Sequence, residues 1–380
     1  MEKTMENIST KSVQHGLERK DTGKLQTMWL EIPGYCNLFC SYCYACGGEK
    51  LEAERLLSWE QYESILSQAK ALGVDSIGIP GAGEPLLGKN LELTMKIIRE
   101  CQKLGMFVTL FMTGEFITEQ LATELYELPV EIMLKGNTLD AKKQDQFISN
   151  PTENLVRKGY GAKRNAAIQL LMSKGFNNET KCLKKFGRKS RMALVTSIML
   201  GEDGALDNLN DVVEILRYCR INNIIFDCDS LLKRGRGTSC QLCASDQVLK
   251  NKLLELQEID AKEFGNVWEL SQSYVGTVCD RYMHHLYVSQ YGEVRPCIGA
   301  MDLVLGNMHN VSLEAAWNSS EMQIIRARKF SGKCGDECDN FAKGKCNSCL
   351  GRRAVNLTNE NLLAKGSVET IGCWNFRKKV

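Results

Sequence analysis

Three cysteines, Cys36, Cys40 and Cys43, stand at C-x3-C-x2-C spacing just behind the apolar run Met28, Trp29, Leu30, Glu31, Ile32, which reads as a strand. This short loop constrains the chain more than any other stretch. It can turn three thiolates onto one face of a cubic iron–sulfur cluster but cannot supply the fourth ligand, so one iron stays open. A structural zinc or an electron-transfer cluster would close its coordination with a nearby Cys or His. Cys46 follows Cys43 at x2 spacing and keeps that alternative open.

Seventeen cysteines in a chain with a polar, mixed-charge start (Met1 to Lys24) argue against a disulfide framework. The start has no apolar segment of the kind a secretory signal needs, so the expected location is the cytoplasm, where thiols stay reduced. No apolar run approaches the roughly 18 residues that cross a bilayer, which excludes a membrane role. A net charge of +2 gives no electrostatic case for nucleic acid. One basic cluster, Lys184, Lys185, Arg188, Lys189 and Arg191, reads as a solvated loop, with contact to an anionic partner as the other reading.

From Trp29 onward, strand-like and helix-like segments alternate. Ser58 caps a helix from Trp59 to Leu72, followed by the apolar run Val74–Ile79. The helix–strand pairs Leu91–Leu104 with Met106–Met112 and Thr118–Leu128 with Val130–Leu134 repeat the rhythm. Ala162–Lys174 with Met192–Met199 and Asp207–Ile221 with Ile224–Cys228 continue it. Roughly six β/α units on a parallel sheet result, fewer than the eight of a closed barrel. Functional residues then belong at the C-terminal ends of the strands. The stretches 149–160 and 176–190 read as excursions. The expected division is a tail over 1–25, a core over 26–238, a helical bridge over 239–278 and a cysteine-rich unit over 279–380.

Gly81-Ala82-Gly83-Glu84-Pro85 follows the second strand. Small residues let a backbone come close to a ligand, and Glu84 can accept hydrogen bonds from an ammonium group. Without the cysteine triad, this would be an ordinary turn. Lys135 and Asn137 follow the fourth strand, Thr196 and Ser197 end the fifth, and Asp227, Asp229 and Arg234 follow the sixth. A guanidinium fork in Lys233-Arg234-Gly235-Arg236-Gly237 suits a carboxylate. At the other end, Cys279, Cys297, Cys334, Cys338, Cys346, Cys349 and Cys373 are more than one four-ligand site can use. Two metal sites account for them, with zinc as the alternative to iron–sulfur.

The triad, with Tyr42 just before its third cysteine, resembles the signature of the radical S-adenosylmethionine (SAM) superfamily. That resemblance implies a partial (β/α)6 TIM-like barrel open on one side, with the free iron of a 4Fe-4S cluster binding the amino and carboxylate groups of SAM. It implies reductive cleavage of SAM to methionine and a 5′-deoxyadenosyl radical, fed by an external donor such as flavodoxin or ferredoxin. Gly81, Gly83, Glu84 and Pro85 resemble the family's Gly-Gly-Glu-Pro motif, with Ala82 as a departure. Tyr42, Lys135, Ser197 and Arg234 are the further cofactor candidates. The C-terminal cysteines resemble the SPASM extension and its two auxiliary 4Fe-4S clusters. Cys279, Gly292 and Cys297 fit its opening pattern. The later spacing of x3, x7 and x2 departs from the family's x2, x5 and x3. Carried across, Cys279, Cys297 and Cys349 hold an inner cluster, and Cys334, Cys338, Cys346 and Cys373 an outer one. The inner set lacks a fourth ligand unless Cys240 or Cys243 joins it.

The expected function is abstraction of hydrogen from a substrate carbon, in peptide or protein modification. Only about 25 residues precede the first strand, which leaves no room for a fused leader-binding domain. Sulfatase-maturing members place an Asp after the cysteine matching Cys297; Ile298 stands here, which disfavours that activity. The alternatives are a radical dehydrogenase or epimerase of a sugar or other small molecule and, from another class, a non-catalytic iron–sulfur or zinc scaffold. No catalytic base is assigned.

Overall fold

The computed structural model describes residues 23–149, 156–201, 204, 206–268, 280–329, 336–344, 346, 349–350, 358–363 and 378. Among them, nine strands form one sheet in the order β6-β5-β4-β3-β2-β1-β7-β8-β9. The first six are β1 (Thr27–Leu30), β2 (Ser76–Ile79), β3 (Phe107–Met112), β4 (Val130–Lys135), β5 (Met192–Ile198) and β6 (Ile225–Ser230). All five pairings between them are parallel and sequential, the mark of repeated β/α units.

Four of the helices between them open on side-chain caps. α1 (Trp59–Ala71) opens on a capping box of Ser58 and Gln61, α2 spans Gly88–Lys103, and Thr118 caps α3 (Glu119–Glu127). α5 (Tyr160–Lys174) and α7 (Asp211–Ile221) match the expected periodic stretches. Two short helices fall where apolar residues are few: α4 (Ala141–Ile148), capped by Asp140, and α6 (Glu179–Phe186), capped by Asn178. The second of these lies inside the 176–190 excursion.

Side chains alternate across the sheet. Val108, Leu110, Ile132, Leu134 and Leu194 join the main core beneath the helices. On the other face, Met133 and Ala193 pack with Phe111, Val195 and Ile225 in a separate small cluster. Above it, residues of β1, β3, β4, β5 and β6 and of the turn after β2 border one cavity of about 700 Å³, so the sheet curls around that space as a partial barrel.

The basic cluster is not the solvated loop expected of it. Lys184 and Lys185 are exposed, but Arg191 is wholly buried. Its guanidinium donates to the carbonyls of Leu128 (2.9 Å), Val130 (3.2 Å) and Tyr126 (2.8 Å) and lies 3.9 Å from the centroid of Phe186. Arg188 pairs with buried Glu131 at 3.0 Å. Two of the five basic residues therefore brace the sheet from the N-terminal ends of β4 and β5.

The sheet also runs past residue 279, where a separate unit was expected to begin. β7 (His285–Val288) lies parallel to β1, and β8 (Glu293–Arg295) and β9 (Gly306–Asn307) follow antiparallel. α8 (Asp246–Phe264) packs on α7, where Arg220 grips Asp260 with two bonds of 2.8 and 2.7 Å. Most of the expected tail lies outside the described residues.

Candidate active site

The loop after β1 brings Cys36, Cys40 and Cys43 to the cavity, whereas Cys46 does not border it. Cys46 instead takes a left-handed φ of 52°, and the chain beyond it returns so that Gly47 N donates to Cys43 Sγ at 3.3 Å. Leu38 N points at Cys36 Sγ at 3.4 Å. Burial pushes the Cys36 and Cys40 thiols up to about 12. They become thiolates only with a cationic partner, which iron provides.

Arg236 clamps this loop from outside. It donates to the carbonyls of Cys40 (3.0 Å) and Gly47 (2.8 Å), pairs with Glu49 at 2.7 Å and stacks over Phe39. The fork read as a carboxylate binder is thus spent, at Arg236, on the protein itself. Gly235 lets the turn approach: a Cβ there would sit 2.4 Å from the Tyr44 carbonyl oxygen.

Gly81, Gly83 and Glu84 border the cavity, and Pro85 lies behind them with its carbonyl bonded by Thr94 at 3.0 Å. The missing side chain of Gly83 makes room for the chain rather than for a ligand. A Cβ there would lie 2.2 Å from the Pro33 oxygen and 2.8 Å from the Tyr35 oxygen. The Asn90 amide crosses the same junction, donating to Pro33 O (3.1 Å), Tyr35 O (3.0 Å) and Glu84 O (3.0 Å). The buried Glu84 carboxylate accepts from Thr113 N (2.9 Å) and Leu86 N (3.3 Å). Burial outweighs these bonds and raises it to about 7.

The cavity wall beyond is polar. Lys135 at the end of β4 donates to Ser197 Oγ at 2.9 Å and lies 5.5 Å from the centre of the Tyr42 ring. Burial lowers the Lys135 pKa, opposed by the nearby charges of Cys40, Asp229 and Asp227. Tyr42, Lys135, Ser197, Asp227, Asp229 and Arg234 all border the cavity; Asn137 and Thr196 do not. Asn137 works from behind, donating to Tyr42 Oη at 3.0 Å.

Cys297 and Cys349 reach the same cavity from the C-terminal part. Burial is the first cause, and Cys349 a second, that raises the Cys297 thiol to about 11, opposed by the N–H groups of Gly299 and Ala300. Arg234 donates to Gly299 O at 3.4 Å. Cys338 and Cys346 are buried away from the cavity, and Arg328 donates to the Cys346 carbonyl at 3.1 Å. Cys279, Cys334 and Cys373 lie outside the described residues. Cys243 borders the cavity and Cys240 stands beside Ser41 at 3.9 Å, next to the first cysteine loop.

Two sequence profiles match this chain: the radical SAM superfamily over residues 30–186, and the SPASM iron-sulfur cluster-binding domain over residues 279–350. The chain belongs to the radical SAM superfamily. This radical SAM protein carries a SPASM domain, and its cofactors are SAM, a 4Fe-4S cluster and auxiliary iron–sulfur clusters. It is 23% identical over 320 residues to the sporulation killing factor maturation protein SkfB of Bacillus subtilis (strain 168), covering 80% of this chain and 68% of SkfB. A GTP 3′,8-cyclase of Geobacter sulfurreducens is 30% identical over 125 residues, and the match spans 33% of this chain and 37% of the cyclase. Among solved structures, native anSMEcpe with bound AdoMet shares the fold at a TM-score of 0.60 and 16% identity, over 90% of this chain and 93% of that one. The same protein with AdoMet and the Cp18Cys peptide gives 0.58 at 15% identity, over 91% and 92%.

The residues fit these cofactors. Three cysteines on one loop face a cavity with N–H groups aimed at two of their sulfurs, and a buried carboxylate stands on the same wall. Among the described residues no three His, Cys, Asp or Glu side chains converge closely enough to share one ion. A cubane asks for less, because each sulfur reaches its own iron. Asn90 and Arg236 are the supporting residues that sequence reading missed. Asn90 sits inside α2 with no local signal, and Arg236 is indistinguishable by residue type from Arg234 in the same turn.

Proposed function

We propose that this enzyme cleaves SAM in the cavity and uses the resulting radical on a carbon of a peptide or protein substrate. The observation that carries the reading is the convergence of the cysteine triad, Glu84, the polar ends of β4 to β6 and Cys297 with Cys349 on one space. When bound, the cluster and SAM supply a 5′-deoxyadenosyl radical that takes hydrogen from unactivated carbon. Cys36, Cys40 and Cys43 would hold that cluster. Glu84 and the backbone of Gly81 and Gly83 would receive the ammonium group of SAM, while Tyr42, Lys135 and Ser197 would line its ribose or the substrate. Arg234, whose Nε is buried with no partner among the described residues, would meet a carboxylate. Closing water out of such a pocket protects a radical from side reactions. Cys279, Cys297 and Cys349 would serve an inner auxiliary cluster and Cys334, Cys338, Cys346 and Cys373 an outer one. The cavity position of Cys297 and Cys349, but not of Cys338 and Cys346, supports that split.

Peptide chemistry is favoured by the names above: a maturation protein among the relatives and a peptide-bound structure among the fold neighbours. The GTP 3′,8-cyclase match favours a second reading, small-molecule chemistry. The non-catalytic scaffold gives way to family membership. A low-potential donor such as flavodoxin or ferredoxin would supply electrons, and a reducing cytoplasm suits these thiols. Among the described residues no helix is long and apolar enough to cross a membrane. The test is 5′-deoxyadenosine production from SAM under anaerobic reduction. Changing Cys36, Cys40 and Cys43 together to Ala should abolish it while iron stays on the C-terminal sites. Continued SAM cleavage by that variant would remove the assignment.

A further inference from the structure

Cys240 and Cys243 have no place in the machinery above. They follow a single turn of tight helix over Gly235–Ser239 and precede α8. Their segment is pinned across the end of β5: Cys243 bridges Met199, and Leu200 N donates to Leu242 O at 3.1 Å. Cys243 borders the cavity, and its side chain interacts with that of Cys240 on the same loop. The Cys240 sulfur also receives Leu242 N at 3.4 Å and lies 3.9 Å from Ser41 Oγ.

The cavity wall carries six cysteines among the described residues: Cys36, Cys40, Cys43, Cys243, Cys297 and Cys349. Five are proposed cluster ligands. Cys243 is the sixth, held where a carbon radical would form and backed by a second sulfur. An S–H bond is weaker than an ordinary C–H bond, so a carbon radical within reach of this thiol takes its hydrogen. A nearby second sulfur then stabilises the sulfur radical by sharing its unpaired electron.

We propose that Cys243 returns a hydrogen atom to the substrate radical and that Cys240 captures the thiyl left behind. This rests on the proposed function and deepens it. In the first step the Cys243 S–H bond breaks homolytically and a C–H bond forms on the substrate. The Cys243 thiyl and the Cys240 thiol then form a disulfide radical anion, releasing one proton to solvent. One electron from the low-potential donor and two protons restore both thiols. The substrate leaves with a solvent-derived hydrogen at the attacked carbon, a redox-neutral outcome such as inversion of a stereocentre. Crosslinking and dehydrogenation instead leave that carbon without a returned hydrogen.

The test uses the holoenzyme with SAM alone, reduced by dithionite in D2O, where thiols exchange to S–D. With no substrate bound, the carbon radical in the cavity is the 5′-deoxyadenosyl radical itself, so the 5′-deoxyadenosine formed by the natural chain should carry deuterium taken from Cys243, and that from Cys243→Ser should fall to natural isotope abundance. Equal deuterium in the two overturns the proposal. Diamide oxidation of the holoenzyme followed by peptide mapping should yield a Cys240–Cys243 disulfide, and failure to form it would likewise count against the pair. Loss of about four irons from a Cys240→Ala/Cys243→Ala protein would show cluster ligation and overturn the hydrogen-donor role. Absence of any 5′-deoxyadenosine from the natural chain is a different failure: it overturns the proposed function, and this inference with it.

Discussion

Asn90 gives the sharpest measure of how the two cofactor loops are joined. Its side-chain amide spans Pro33 and Tyr35, in the approach to the cysteine loop, and Glu84, in the turn beside it. Two N–H hydrogens serve three carbonyls, so about two hydrogen bonds' worth of energy is at stake. No carbonyl would be orphaned in Asn90→Ala. Pro33 O keeps Tyr35 N at 2.8 Å, Tyr35 O keeps Glu84 N at 2.9 Å, and Glu84 O keeps Leu87 N at 3.2 Å. The cost is therefore that of ordinary bonds at about 1 kcal/mol each, plus a small void, or roughly 2–3 kcal/mol in all. Asn90→Asp should cost more, because it turns an oxygen toward three carbonyl oxygens at a site with no exposure. Anaerobic urea unfolding of the three proteins measures this through the midpoint at unchanged slope. SAM affinity should fall in both variants as the loops lose register. An Asn90→Ala protein within about 0.5 kcal/mol of the natural chain, with unaltered SAM affinity, would refute the staple.

Glu84→Ala should weaken SAM binding by roughly 10- to 150-fold, since a hydrogen bond to a charged group is worth about 1.5–3 kcal/mol; equilibrium dialysis with labelled SAM checks it. Glu84 also predicts a pH slope. Its folded pKa of about 7 lies above the ordinary glutamate value of 4.5, so the stability it contributes is full below about 4.5 and is lost as pH rises through about 7. Glu84→Gln should remove that slope from unfolding midpoints measured between pH 5 and 8. Arg191→Ala should destabilise the sheet by about 3 kcal/mol or more, with little rescue by Arg191→Lys, because a point charge cannot span three carbonyls and a ring. Thermal unfolding compares the two.

Much of the barrel was legible because its strands and helices carry strong local signals. Ser58 and Thr118 cap the helices they were expected to cap or open, and the apolar runs after them became β2 and β4. What escaped was what depends on distant partners. Arg191 looks like any basic loop residue until Tyr126, Phe176 and Phe186 surround it. Gly83 reads as a ligand-facing glycine, yet the atoms that need its missing Cβ belong to Pro33 and Tyr35, some fifty residues upstream. Arg234 and Arg236 are two residues apart and indistinguishable by type, but one faces the cavity while the other bonds the cysteine loop.

The C-terminal part is joined to the barrel through the strand that carries the cysteine triad. A six-stranded open sheet leaves β1 with an unpaired edge, and such an edge needs cover. β7 provides it in a fixed register, from Thr27 opposite His285 to Leu30 opposite Val288. Side chains lock the same seam: Tyr287 Oη donates to buried Glu31, Gln290 N donates to Glu31 Oε2 at 2.9 Å, and Gly34 N donates to Gln290 Oε1 at 2.7 Å. Because side-chain period in a strand is two, a one-residue slip here would turn β7 inside out, so the register is strongly held. Cys36 leaves beyond the C-terminal end of β1, while Cys297 leaves beyond Arg295, which is level with Trp29 through Tyr287. Cys36 and Cys297 thus reach one cavity from β1 and β8, two strands of one sheet joined through β7. The placement of Cys36 relative to Cys297 therefore follows from a backbone ladder of three strands.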